Sequence, residues 1–170
     1  MFPRSSAFRT DAIDAALNAG KRLFAIDLRT DAGQRALRQQ IAGADVLITN
    51  FSAATLRKHG FDAASCATLN PALIHLWMPG FASADELLDH PPPAAWEAVL
   101  LASAGVFRDM GVNRQLLGVT ASYSPLPLAS AYASVWAALA AAAALYRSAR
   151  LGRALGEAVE VPEGGRYRRG

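Results

Sequence analysis

Three short apolar runs, separated by stretches with helical spacing, constrain this chain more than any other feature of its sequence. The first, Leu23-Phe-Ala-Ile-Asp-Leu28, precedes a segment in which Thr30 is placed to cap a helix running to Ala42, with Ala36, Leu37 and Ile41 on one face. The second, Ala44-Asp-Val-Leu-Ile-Thr49, is compact, apolar and ends at Asn50, as expected of a strand buried on both faces of a parallel sheet. A helix from Ala53 to Lys58 closed by Gly60, and a short one from Ala63 to Leu69, separate it from the third run, Ala72-Leu-Ile-His-Leu-Trp-Met78. Parallel strands need crossovers, and this βαβαβ alternation provides them.

The pattern predicts an α/β fold, a partial Rossmann-like, doubly wound parallel sheet, followed by a long alanine-rich helix. Pro79-Gly80 and Asp89-His-Pro-Pro-Pro93 break the alternation. Beyond them, residues 94–105 read as a helix, 107–124 as loop, 128–146 as the long helix and 157–161 as a last strand. Residues 18–162 form the folded unit, with an unassigned segment at 1–17 and a basic tail at 163–170.

A chain of 170 residues is long enough for one ordinary core, and 52% hydrophobic against 18% charged residues places it among globular proteins. The net charge of +3 comes largely from arginines near the C-terminus, read as a solvated tail rather than a nucleic-acid face. Residues 116–146 carry no charge, but prolines interrupt the first half and alanine dominates the second. That composition predicts a buried core helix rather than a membrane span. Cys66 is the one cysteine, so no internal disulfide is possible, and an inert small residue in a reducing cytoplasm is expected.

Several chemistries lack their motifs. Neither a glycine-rich dinucleotide fingerprint nor a phosphate-binding loop with its lysine is present. His59, His75 and His90 have no metal-ligand spacing, so no metal is expected, and His75 is read as filling or bordering a strand face. No Gly-x-Ser-x-Gly elbow surrounds any serine.

What remains is an ordered series of blocks: Asn18-Ala-Gly-Lys-Arg-Leu-Phe-Ala-Ile-Asp-Leu28, Thr30-Asp-Ala-Gly33, Ala44-Asp-Val-Leu-Ile-Thr-Asn-Phe51, Gly60-Phe61, Leu69-Asn-Pro-Ala-Leu-Ile74 and Gly80-Phe81. Pro127-Leu-Ala129, Ala140 to Leu145, Gly152-Arg153 and Val159-Glu-Val161 continue it. In order and spacing these blocks resemble family III CoA-transferases, the CaiB/BaiF type that includes formyl-CoA transferases and α-methylacyl-CoA racemases. The resemblance implies a CoA-binding domain within a homodimer, acyl-CoA as substrate, and no nucleic-acid or membrane partner. It also implies cofactor-binding roles for Ile26, Asn50, Phe51 and Lys58. On the residues alone, Ile26 and Phe51 read as core, Asn50 as a turn residue and Lys58 as a solvated helix end.

The family's catalytic aspartate corresponds here to Ser130, and its active-site aromatic–acid pair to Trp96-Glu97. Serine without a base is a poor nucleophile and a poor proton acceptor, so the family chemistry does not transfer unaltered. Ser130 is either a helix-cap hydroxyl or a ligand contact. Glu97 is the surviving carboxylate, a proton shuttle if buried and a bystander if exposed. The family's first strand should precede Asn18, residues 1–17 do not read as one, and family chains continue well beyond Pro162. Either a second copy or a companion subunit is therefore expected to complete an active transferase, the alternative being an inactive binding or structural subunit.

Overall fold

The structure, a computed structural model, describes residues 12–81, 95–109, 118, 126–152 and 156–163. The order is α1 (Ala12–Leu17), α2 (Asp31–Ala42), β1 (Val46–Thr49), α3 (Ala53–His59), α4 (Ala63–Leu69), β2 (Ile74–Trp77), α5 (Glu97–Ser103), α6 (Val106–Asp109), α7 (Leu128–Leu151) and β3 (Glu157–Glu160). The three strands form one parallel sheet in the order β1-β2-β3, with Val46 opposite Ile74 and Ile74 opposite Glu157.

Side chains alternate across the sheet and find different partners on its two faces. Leu47, Leu73 and Trp77 pack with Ile41, Leu56, Phe61 and Cys66 from α2, α3, α4 and their loops. Val46, Leu76, Met78, Val159 and Val161 meet Ala137, Ala140 and Ala141 of α7 on the other face. Helices on both faces make this the expected doubly wound arrangement. Asn70 ties the first face together, since its Nδ2 donates to the carbonyls of Ile41 and Ala44 at 3.1 and 2.8 Å. Cys66 is fully buried, and burial raises its thiol pKa, with Asp62's charge adding to the effect.

The helices of the first face start on their own capping residues. Thr30 Oγ1 accepts from Gly33 N at 3.0 Å, Ser52 Oγ from Thr55 N at 3.2 Å and Asp62 Oδ1 from Ser65 N at 3.1 Å. Gly33 is required at its position because a Cβ there would overlap the carbonyl of Asp27. Gly60 ends α3 at φ 69°, and Phe61 N donates back to Leu56 O at 2.9 Å, the hydrogen bond that satisfies the helix's last turn.

Four sequence expectations change. Residues 23–28 are not a strand: Leu28 packs on the core, while Leu23 and Phe24 are exposed and Asp27 is bound by Arg29 at 2.7 Å. An extended segment becomes a strand only by pairing with a neighbour that has free backbone groups, and no described strand pairs with it. The long helix exists, extending to Leu151, yet it is not a buried core helix. By length and composition it could cross a membrane, and only 22% of its apolar window is buried. A strip of Ala129, Ala133, Ala137 and Ala144 lies against the rest of the fold, while Tyr132, Val135, Trp136, Leu139 and Tyr146 face outward. The predicted helix at 94–105 is shorter, as α5, and α6 begins where loop was expected. The rest of that loop, residues 110–117 and 119–124, lies outside the described residues, as does most of the basic tail.

Candidate functional site

The carboxyl ends of parallel strands are where open α/β sheets bind ligands, and the chain converges there. The loop after β1 carries Asn50 and Phe51, and Trp77 at the end of β2 donates its indole N–H to the Phe51 carbonyl at 2.8 Å. Beyond β2, Gly80 touches Ala95 so closely that a Cβ would overlap that side chain, which brings the start of α5 against the strand end. Phe81 then packs with Leu100 and Leu101 of α5 and Ala129 of α7. That cluster brings the N-termini of α5 and α7 together.

Glu97 and Ser130 meet at this junction. Pro127, at the head of the 24-residue α7, offers no capping side chain. Glu97 supplies the missing acceptor from across the chain. Its Oε1 accepts from Ala129 N at 2.7 Å, and its Oε2 accepts from Ser130 N at 3.2 Å and Ser130 Oγ at 2.6 Å. A carboxylate on the amide-rich end of a long helix is electrostatically favoured, and charge-assisted hydrogen bonds of this kind contribute about 1.5–3 kcal/mol each. Ser130 is therefore not the cap of α7; its hydroxyl holds the residue that is.

A second carboxylate, Glu163, was not singled out from the sequence. It follows β3, is half-buried, and its N–H donates to the Pro79 carbonyl at 2.8 Å. Burial raises the Glu163 pKa above the ordinary carboxylate value, and the charge of Glu97 raises it further. The only sequence signal was its place just beyond a strand's carboxyl end, because nothing local to Glu163 reveals Glu97, 66 positions earlier.

The residues assigned to CoA are more dispersed. Asn50 and Phe51 are exposed at the carboxyl edge, Ile26 is half-buried in the non-strand segment, and Lys58 is exposed in the last turn of α3. Helical rise places Lys58 about 9 Å along the axis from Ser52. A cavity of about 420 Å³ beside β2 and β3, lined in part by Leu56, Arg57, His75, Trp77 and Glu160, includes none of the four. His75 is buried on this face, with Nε2 3.1 Å from Thr49 Oγ1 and Nδ1 unpartnered, and burial lowers its pKa. Among the described residues no cluster of His, Cys, Asp and Glu could hold a metal.

A doubly wound parallel sheet with a carboxylate–serine pair at its carboxyl edge defines the class, and comparison with known proteins defines the family. The chain belongs to CoA-transferase family III, whose family model matches residues 3–163. It is 42% identical over 149 residues to the CoA-transferase/lyase DddD of Marinomonas sp. (strain MWYL1), a match covering 88% of this chain and 17% of that protein. It is also 42% identical over 66 residues to succinate–glutarate CoA-transferase of Agrobacterium fabrum, covering 39% of this chain and 16% of the relative. A CAIB/BAIF family protein from Brucella suis superposes with a TM-score of 0.68 at 25% identity, over 84% of this chain and 35% of its own. Rv3272 from Mycobacterium tuberculosis shares the fold, with a TM-score of 0.70 at 23% identity, over 85% of this chain and 38% of its own. The chain thus spans less than a fifth of those curated relatives and under two fifths of those solved chains.

Proposed function

We propose that this chain binds CoA thioesters at the carboxyl edge of its sheet and that Glu97, held on Ser130, takes the place of the family's aspartate at the acyl end. Ile26, Asn50, Phe51 and Lys58 serve the CoA moiety, Lys58 through the phosphates. The remainder of the active site comes from further chain, a second copy or a companion subunit, in a reducing cytoplasm. The observation that carries this reading is the Glu97–Ser130 contact of 2.6 Å, which supports a carboxylate working beside the serine that replaces the family's aspartate.

In the transfer reaction a Glu97 oxygen attacks the thioester carbon, the C–S bond breaks, and CoA leaves as thiolate while a mixed anhydride forms. The thiolate then attacks the glutamyl carbonyl, releasing the first acid and leaving a glutamyl-CoA thioester for the acceptor acid. A second reading, a binding subunit without turnover, rests on the three hydrogen bonds that already occupy the Glu97 oxygens and blunt their nucleophilicity. Calorimetry with CoA and acetyl-CoA tests binding, and transfer of labelled CoA between acyl donors tests turnover. Heat with transfer supports the first reading, and heat without transfer under any subunit pairing supports the second. No heat removes both.

A further inference from the structure

Glu163 is a carboxyl group that neither the sequence motifs nor the proposed role of Glu97 accounts for. Its backbone is fixed by the bond to Pro79 O, and Pro79 adjoins Gly80, whose contact with Ala95 positions Glu97 two residues later. Both acids thus stand on the same short stretch of the carboxyl edge. They differ in their surroundings: Glu97 accepts three hydrogen bonds from the head of α7, whereas Glu163 is half-buried in the field of Glu97.

We propose that Glu163 is a second working carboxyl of this site, giving its proton to the CoA sulfur as the thioester breaks under attack by Glu97. The proton balance is simple. Glu163 carboxylic acid plus CoA thiolate gives Glu163 carboxylate plus CoA thiol, and the reverse step regenerates the thiolate for attack on the anhydride. Paired acids whose surroundings differ divide such roles, one as ionised nucleophile and the other as proton carrier. Burial and the Glu97 charge, the two influences that raise the Glu163 pKa, both favour its protonated form. This role rests on the proposed CoA-thioester reaction.

The test uses the full chain with acetyl-CoA and with S-phenyl thioacetate, whose thiol leaves without protonation, reading exchange of labelled acetate into each thioester. Glu163→Gln is expected to slow exchange with acetyl-CoA by at least about tenfold and with the phenyl ester by less than about threefold. Glu163→Asp should retain most of the acetyl-CoA rate. Equal loss on both donors, or no loss on either, overturns the proposal. A carboxyl-carbon NMR titration adds a reading independent of turnover: Glu163 should titrate above ordinary glutamate and move down in Glu97→Gln. An unmoved titration also overturns it. If the wild type exchanges acetate into neither donor, the proton-donor role is overturned, whereas calorimetric binding of CoA would leave the binding subunit standing.

Discussion

The helices of the two sheet faces begin in different ways, and the difference marks the functional end of the molecule. On the first face α2, α3 and α4 are capped by the residue immediately before each helix, Thr30, Ser52 and Asp62. On the other face α7 is capped by Glu97, more than thirty positions earlier in the chain. A local cap stabilises only its own helix. A distant cap also fixes the relative placement of two helices, and here it lodges a carboxylate and a hydroxyl where the strands end.

Breaking the distant cap should therefore have the largest effect. Glu97→Ala leaves the Ala129 and Ser130 N–H groups without their acceptor, and a loss of about 3 kcal/mol is expected in urea unfolding. Ser130→Asp comes next. It restores a carboxylate at the family position but presses it against Glu97, and repulsion in a half-buried setting should cost about 2 kcal/mol. Adding Glu97→Gln to Ser130→Asp should recover most of that loss, because the amide oxygen still accepts and its NH2 can donate to the new aspartate. A double variant no more stable than the single one would show that space, not charge, decides the position.

Local caps should be worth less. Asp62→Ala removes an acceptor for Ser65 N and Ser65 Oγ, at 3.1 and 2.7 Å, and about 1 kcal/mol is expected. The Ser65 hydroxyl and backbone bonds hold the Asp62 carboxyl below its ordinary pKa. Its contribution is accordingly present above the unfolded value of 3.8 and fades as pH falls through the lower folded value. Wild type and Asp62→Ala should converge in stability in strong acid, and a constant gap down to pH 2 would show that the cap acts without its charge.

This contrast also explains what the sequence revealed. Thr30, Gly33, Gly60 and the run from Ala44 to Thr49 act within a few residues of themselves, so β1, β2, β3 and α2 to α4 were readable from local spacing. Residues 23–28 carried strand-like composition, but pairing depends on a neighbour that composition does not disclose. The outward apolar side of α7 was misread as buried because alanine content reports how closely a helix can pack, not how many sides are covered. At the candidate site Glu97 and Ser130 were each named through the family resemblance, but their mutual hydrogen bond spans 33 residues. Glu163 went unnoticed for the same reason, since its setting is made by Pro79 and Glu97 rather than by its sequence neighbours.

The smallest expected effect concerns His75, on the face whose helices carry their own caps. Its Nε2 is bonded to Thr49 Oγ1, its Nδ1 has no partner, and burial holds its pKa below the unfolded value of 6.5, with Asp62 opposing weakly. A lowered pKa means that the unfolded chain binds the extra proton first, so this contribution is intact above pH 6.5 and lost as pH falls toward the folded value. Urea unfolding should therefore show stability declining between pH 7 and 5.5, with a shallower decline in His75→Gln, which keeps an amide to meet Thr49. Glu163 gives the opposite slope: its raised pKa makes its contribution greatest below the unfolded value of 4.5 and lost as pH rises through the folded value. Glu163→Gln should remove that opposing slope and leave the His75 decline steeper where the two windows overlap. Equal slopes in wild type and both variants would mean that neither face stores its burial cost in a titrating group, and the contrast between them would then reduce to capping alone.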